Sequence, residues 1–309
     1  MAKPTQATID EIKKQARNVV STFGARDRLL VRYREIYFME NIERPRNGQV
    51  DEGDWKITPS PSGRNAVVGM QRLLNTSELS INIKDSDDVR GSSEIEEGLK
   101  AIMRVSGEGR RARIEGDAAL SSVLYGAVTV YAESIADLLT IKTLKPYKRR
   151  LLEKKLRRSP FLIRPINIEE SYPEFDEDMM ISHTWKYKIR GGALRSRWGI
   201  EARDNTEYTV HDVFTPDLHV VWADGYGDIF AEEHGLGCVP VFTAYAGGSD
   251  LFKKPEYQMN SFLYAKAIGN FDKRENSLLT AIFTNIHMRG LLGPLVSINP
   301  ETAPEEIVV

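Results

Sequence analysis

The feature that most constrains this chain is a change of period part-way along it. Up to about residue 158 the apolar residues recur at helical spacing; from 159 to about 250 they alternate with polar residues between Gly, Pro and Asp turns. Helices followed by a run of short antiparallel strands make an α+β fold. Helical spacing then returns from about 261 to 288. The expected division is an α/β body over 1–250 (1–158 mainly helical, 159–250 β-rich), a long helical segment over 251–290, and a remainder over 291–309. A chain of 309 residues with a hydrophobic fraction of 41% can build such a core without disulfides or metals. The single cysteine, Cys238, excludes an internal disulfide and a multi-cysteine zinc site.

Within the helical half, Ile9, Ile12, Ala16, Val19, Val20 and Phe23 form one stripe, continued by Leu30, Tyr33 and Tyr37. Gly24 is expected to bend or break this stretch of 8–41. Residues 43–54 read as a loop. A turn at Ser60-Pro61-Ser62-Gly63 leads into a helix over 64–75, and Leu79, Ile81 and Ile83 alternate as a short strand. Ser92 and Ser93 are candidate caps for the next helix. Another helix covers 110–125, ends at Gly126, and gives way to a strand through Val128 and Val130.

The densest basic run lies at 145–158. Lys148, Arg149, Arg150, Lys154, Lys155, Arg157 and Arg158 stand there with Glu153 as the sole acid. Leu151, Leu152 and Leu156 supply a possible apolar stripe. Such a helix is either a solvated face or a surface for phosphate or another anion. In the β-rich part, residues 183–190 alternate before Gly191-Gly192, which reads as a hairpin turn. Strands over 208–214 and 219–223 follow, separated by Pro216-Asp217.

Catalytic signatures are absent. Gly107–Gly109, Gly225–Gly227 and Gly235–Gly237 do not extend into a dinucleotide or phosphate-loop motif. Gly247-Gly248-Ser249 reads as a turn. His183, His211, His219, His234 and His287 are scattered; His211 and His219 are expected on strand surfaces, able to face each other across a hairpin but lacking further metal ligands. Cys238 is expected to be a buried structural thiol, and Asp176, Glu177 and Asp178 loop acids. No cofactor, metal or catalytic residue is assigned, and an enzyme is not expected. A hydrolase using the histidines is the lowest-ranked option.

Order carries more than any single motif. Arg28-Leu-Leu-Val-Arg-Tyr-Arg-Glu-Ile-Tyr37 precedes the Pro-Ser-Pro turn, a helix and a strand; the helix ending Leu124-Tyr125-Gly126 comes next. Then follow Pro160–Pro165, Tyr172-Pro-Glu-Phe-Asp176, the strand set, His234-Gly-Leu-Gly-Cys-Val-Pro-Val241, Gly247-Gly-Ser249 and Glu275-Asn-Ser-Leu-Leu-Thr280. This order, over about 25–295, resembles the tailed-bacteriophage portal proteins, the head–tail connectors. The resemblance implies a homo-oligomeric ring, usually dodecameric, at one capsid vertex of the virion, assembled in the host cytoplasm. It implies a wing over 1–250, a stem helix after Phe262, and the start of a clip at Gly293-Pro294-Leu295-Val296. Implied partners are double-stranded DNA in the channel, the terminase large subunit, the major capsid or scaffold protein, and head-completion or tail-adaptor proteins. The family continues with more clip, a second stem helix, a tunnel loop and a crown, so this chain is expected to need such segments for a closed channel.

The charge balance suits a conduit. With 42 Lys+Arg against 44 Asp+Glu, the net charge of -2 disfavours a coat of phosphate contacts that would make DNA stick. Lys266, Lys273 and Arg274 either face DNA or form bridges between subunits with Glu275 or Asp272. The alternative function is a nucleic-acid-binding or regulatory domain built on the 145–158 helix. No apolar run is long enough for a membrane helix and no signal peptide is evident, so an intracellular chain with no membrane partner is expected.

Overall fold

The computed structural model describes residues 4–40, 59–76, 89–108, 114–140, 146–177, 179–246, 261–271, 273–276, 278–280 and 282. They divide into one unit of residues 1–31 and 67–262 and a second of 32–66 and 263–309. The fold is α+β with antiparallel sheets. The expected loop at 43–54, the strand at 79–83, and the segment 291–309 lie outside the described residues.

Two helices replace the first amphipathic stretch, α1 (Gln6–Thr22) and α2 (Gly24–Phe38), parted at Phe23. The Thr5 hydroxyl accepts the Thr8 amide and caps α1. Then come α3 (Ser62–Thr76), α4 (Val89–Gly107) and α5 (Ile114–Tyr125). Helix α4 begins at Val89, so Ser92 and Ser93 lie inside it and do not cap it. Gly126, with φ 76, turns α5 directly into strand β1 (Ala127–Ser134); the left-handed conformation is one that glycine reaches without strain.

Next are α6 (Ile135–Thr140), α7 (Pro146–Leu156), β2 (Phe161–Ile166), β3 (Ser171–Asp176) and β4 (Met179–Arg190). After them come α8 (Gly191–Trp198), β5 (Glu207–Phe214), β6 (Leu218–Ala223), β7 (Gly227–Glu233) and β8 (Val241–Tyr245). Strands β3 to β7 form a five-stranded antiparallel meander, while β1 lies between β2 and β8 in a three-stranded sheet. The chain leaves the small sheet after β2, builds the large one, and returns as β8.

Period-two alternation assigns the two faces of the large sheet. One face carries Val213, Val220 and Trp222 against Ile9, Ile12 and Ala16 of α1. The opposite face carries Tyr187, Val210, Val221 and Ala223 beneath Leu194 and Ala202. Its Phe214 also meets Ile166 and Val241 of the small sheet. Burying each large aliphatic or aromatic group contributes about 1.5–3 kcal/mol, so these layers hold the unit together.

Gly191-Gly192 does not close a hairpin. It starts α8, and β4 reaches β5 only after residues 191–206. The Gly191 amide donates to Thr206 O at 2.9 Å, and a Cβ on Gly191 would collide with the Arg203 carbonyl. The glycine is thus needed for close backbone approach, not for a turn.

In the second unit, Leu263 and Ile36 close on Gly63, where a Cβ would lie 3.6 and 2.5 Å from them. Helix α9 (Tyr264–Ile268) opens the helical segment expected over 261–288, while 251–260 and 283–290 lie outside the described residues. Gly269 and Asn270 form a turn, with Asn270 at φ 50, before helical backbone resumes at Phe271. Asparagine tolerates this conformation, which interrupts the expected rod.

Gly191→Ala is expected to lower stability by about 2 kcal/mol or more, because backbone must move to admit the methyl. Gly192→Ala, whose Cβ meets only the flexible Asp204 side chain at 3.3 Å, is expected to cost less than half as much. Urea unfolding of the two variants checks the contrast.

Candidate functional site

Of the three cations assigned to the stem, Lys266 is tied within its own unit. Its ammonium donates to Glu275 Oε2 at 2.6 Å and also contacts the Ser62 hydroxyl. Glu275 further accepts the hydroxyls of Ser60 at 2.5 Å and Ser62 at 2.9 Å, while Asn276 Oδ1 accepts the Ser60 amide at 2.6 Å. Burial pushes the Glu275 carboxyl up, but its bonds to Lys266, Ser60 and Ser62 prevail and hold it below the ordinary value. This carboxylate is therefore a clasp on the start of α3. Lys273 is half-buried and Arg274 exposed.

Around that clasp lies an uncovered apolar series. Tyr264, Ile268, Phe271, Leu278 and Ile282 are all exposed, Leu278 by 63%, at alternating spacings of four and three residues once Glu275 is counted. After the Gly269-Asn270 turn, Phe271, Glu275, Leu278 and Ile282 keep the spacing that lines one helix face, and Tyr264 and Ile268 do so in α9 before it.

Helix α7 holds the basic run. Lys155 points inward: it is 7% exposed, and its ammonium donates to the carbonyls of Val105 and Glu108 at 3.0 and 3.1 Å. There it satisfies the last turn of α4, where a cation is favoured by the helix dipole. Lys155 is therefore not part of a surface patch. Arg158 pairs with Glu108, Arg149 is half-buried, and Lys148, Arg150, Lys154 and Arg157 are exposed.

The histidines stand in three settings. His211 and His219 do not face each other, because His211 pairs in register with Trp222 and His219 with Phe214, which puts them on opposite faces. His211 lies 4% exposed, stacked on Trp222 with ring centroids 4.8 Å apart, so it is not a surface residue. His219 lies 2.6 Å from Asp212 Oδ1, stacked on Phe214. His234 Nε2 donates to the Thr215 carbonyl, and His287 lies outside the described residues.

Asp212 anchors the buried charge. It is 1% exposed, and Arg197 stands 3.6 Å from its second oxygen. Burial pushes its carboxyl up, but His219 and Arg197 outweigh this and hold it below the ordinary value. Arg197 lies near the rings of Trp185, Tyr187 and Trp198 and donates to the Tyr187 hydroxyl at 3.2 Å. Glu133 pairs with Arg164 at 2.9 Å, yet burial dominates and keeps its carboxyl above the usual range.

His183 is fully enclosed and bonded to Ser171 Oγ at 2.9 Å; Ser171 donates to Thr129, which meets Thr243 at 2.9 Å. That direction assigns the proton to Nε2 and leaves buried Nδ1 with no acceptor, so the ring stays neutral. The pair is sealed at 0% and 1% exposure and links the two sheets; substrate has no access to it. Among the described residues, His211 and His219 bond to carboxylates and to no hydroxyl or thiol, and no group of His, Cys, Asp and Glu could hold a metal. Cys238 is exposed, not buried, in a connection where Gly235 and Gly237 take positive φ. Asp176 and Glu177 stand at the β3–β4 turn, and Asp178 lies outside the described residues. Among the described residues, no helix is long and apolar enough to cross a membrane.

Two predictions follow from this geometry. Burial lowers His183 to about 3 from 6.5, so between those values only the unfolded chain takes its proton. Stability should fall as pH drops below 6.5, by about 2 kcal/mol between pH 6.5 and 5. Urea unfolding of His183→Gln across that range should lose this part of the slope; an unchanged profile contradicts the assignment. Glu275→Ala, which removes the clasp, should cost about 1–2 kcal/mol and speed proteolysis within residues 263–282, leaving 114–246 protected.

Compared with models of protein families and with curated proteins, the chain matches none.

Proposed function

We propose that this chain is a portal subunit. In this reading it is a structural virion protein that forms a ring at the capsid vertex, through which DNA is packaged and ejected and to which motor and tail components attach. The observation that carries the reading is the exposed series Tyr264, Ile268, Phe271, Leu278 and Ile282. Large apolar groups that stay exposed among the described residues call for a partner. A second copy fits, because a subunit whose two sides join head-to-tail closes a ring by rotation.

The order of elements supports the same reading. Helix α5 ends at Leu124-Tyr125-Gly126 and enters β1, and the β-rich part returns as β8 beside β1. Within the first unit, Ser261 Oγ donates to the Leu124 carbonyl at 2.6 Å and the Phe262 amide to Val123 O at 3.0 Å. The first unit thus holds its own last residues, Ser261 and Phe262, against the end of α5. Lys266, held by Glu275 of its own chain, serves to shape the segment in this reading; Arg274 is left as the exposed cation for DNA or a neighbouring subunit. A net charge of -2 agrees with a passage that does not grip its cargo.

Light scattering after size exclusion tests the proposal. The chain, alone or joined to the segments that follow it in the portal family, is expected at a large multiple of 34.9 kDa. Ile268→Asp with Leu278→Asp should reduce it to single subunits while circular dichroism remains unchanged. An unaltered mass for the folded double variant contradicts the proposed interface.

A further inference from the structure

Helix α7 lies outside the residues on which the ring reading rests. Its rotation is set by Lys155, buried against the carbonyls at the end of α4, and by half-buried Arg149 and Leu152. The opposite side is then turned to solvent. Arg150, Lys154 and Arg157 recur there at i, i+4 and i+7, along one face of the helix and the turn that follows. All three are exposed, and none takes part in an ion pair among the described residues. Tyr147, three residues before Arg150, is 63% exposed beside them. Glu153 is the one carboxylate of the helix.

We propose that this face binds the phosphate backbone of double-stranded DNA through Arg150, Lys154 and Arg157, with the Tyr147 hydroxyl as a further donor. Charge complementarity selects the occupant. The three Cα positions span roughly 10 Å of helix axis, and the same length of duplex carries about six phosphates. Arg, Lys and Tyr are side chains that donate to backbone phosphates and fix orientation without reading sequence. Among the described residues the cations of this face are uncompensated, which suits a polyanion better than a protein partner needing a broad apolar contact. Binding is therefore independent of sequence and strongly salt-dependent.

The test is fluorescence anisotropy of the full chain with a 30-base-pair duplex of arbitrary sequence over a range of salt concentrations. Reversal of the three charges (R150E/K154E/R157E) is expected to weaken binding about tenfold or more. It should also lower the slope of log affinity against log salt by about 3. A control with the same change in net charge on exposed positions of α1 and α2 (K14E/R17E/R28E) should keep most of the slope. If the reversed chain fails to fold, the neutral variant R150Q/K154Q/R157Q replaces it, with the same direction expected. No DNA binding by the unaltered chain overturns the proposal. So does equal loss in the control, or competition by poly-glutamate as effective as competition by DNA at matched charge. A ring that forms normally but lacks this affinity defeats the α7 proposal alone, and DNA binding by single subunits defeats the ring reading alone.

Discussion

Strand β1 is hydrogen-bonded along both edges, and the rest of the first unit depends on that pairing. On one side it meets β2, which follows soon after in the chain; on the other it meets β8, which returns only after the five-stranded sheet is complete. Closing so long a loop is entropically unfavourable, but the cost grows slowly with length. It is offset by the ladder itself and by Phe214, Ile166 and Val241, which pack the two sheets together. The return of β8 also brings Ala246 to the Gly126 carbonyl. Helix α5, strand β1 and the end of β8 are therefore positioned together.

Buried polarity reinforces this arrangement. The line His183, Ser171, Thr129 and Thr243 crosses from the large sheet to the small one entirely inside the protein. Each hydroxyl has a partner, and the one orphan is the His183 Nδ1 that must not be protonated. Asp212 and Arg197 occupy a second polar centre, where the rings of Trp185 and Trp198 lie near the guanidinium. An unpaired charge in either place would be strongly destabilising. Both centres thus favour one register of the strands over a slipped one, since a shift by one residue reverses every side chain.

Period was the most legible property of the sequence. The α1 stripe is visible in Ile9, Ile12, Ala16 and Val19, and all four are buried. The alternation of β4, β5 and β6 was equally plain. Strand β3 was not, because Ser171, Pro173 and Glu174 dilute its pattern, and β7 mixes Asp228 and two glutamates with its apolar residues. Gly191-Gly192 suggested a turn because glycine serves both turns and close packing, and only the position of Arg203 separates these uses. Lys155 looked like one more surface cation; burial against two carbonyls depends on α4, which is distant in sequence. Asp212, Arg197 and Glu133 carried no sequence signal, because three separate elements bring them together. Glu275 breaks the apolar spacing between Phe271 and Leu278, and its clasp on Ser60 and Ser62 is the physical reason.

In the proposed ring, copies of this chain join side by side through the exposed apolar residues around Ile268 and Leu278. Electron micrographs of the purified polypeptide, alone and joined to segments that follow this region in portal proteins, test that most directly. End-on class averages with a closed ring and an axial opening are the predicted result. Solitary particles in both preparations, at concentrations where the protein is folded, would contradict it.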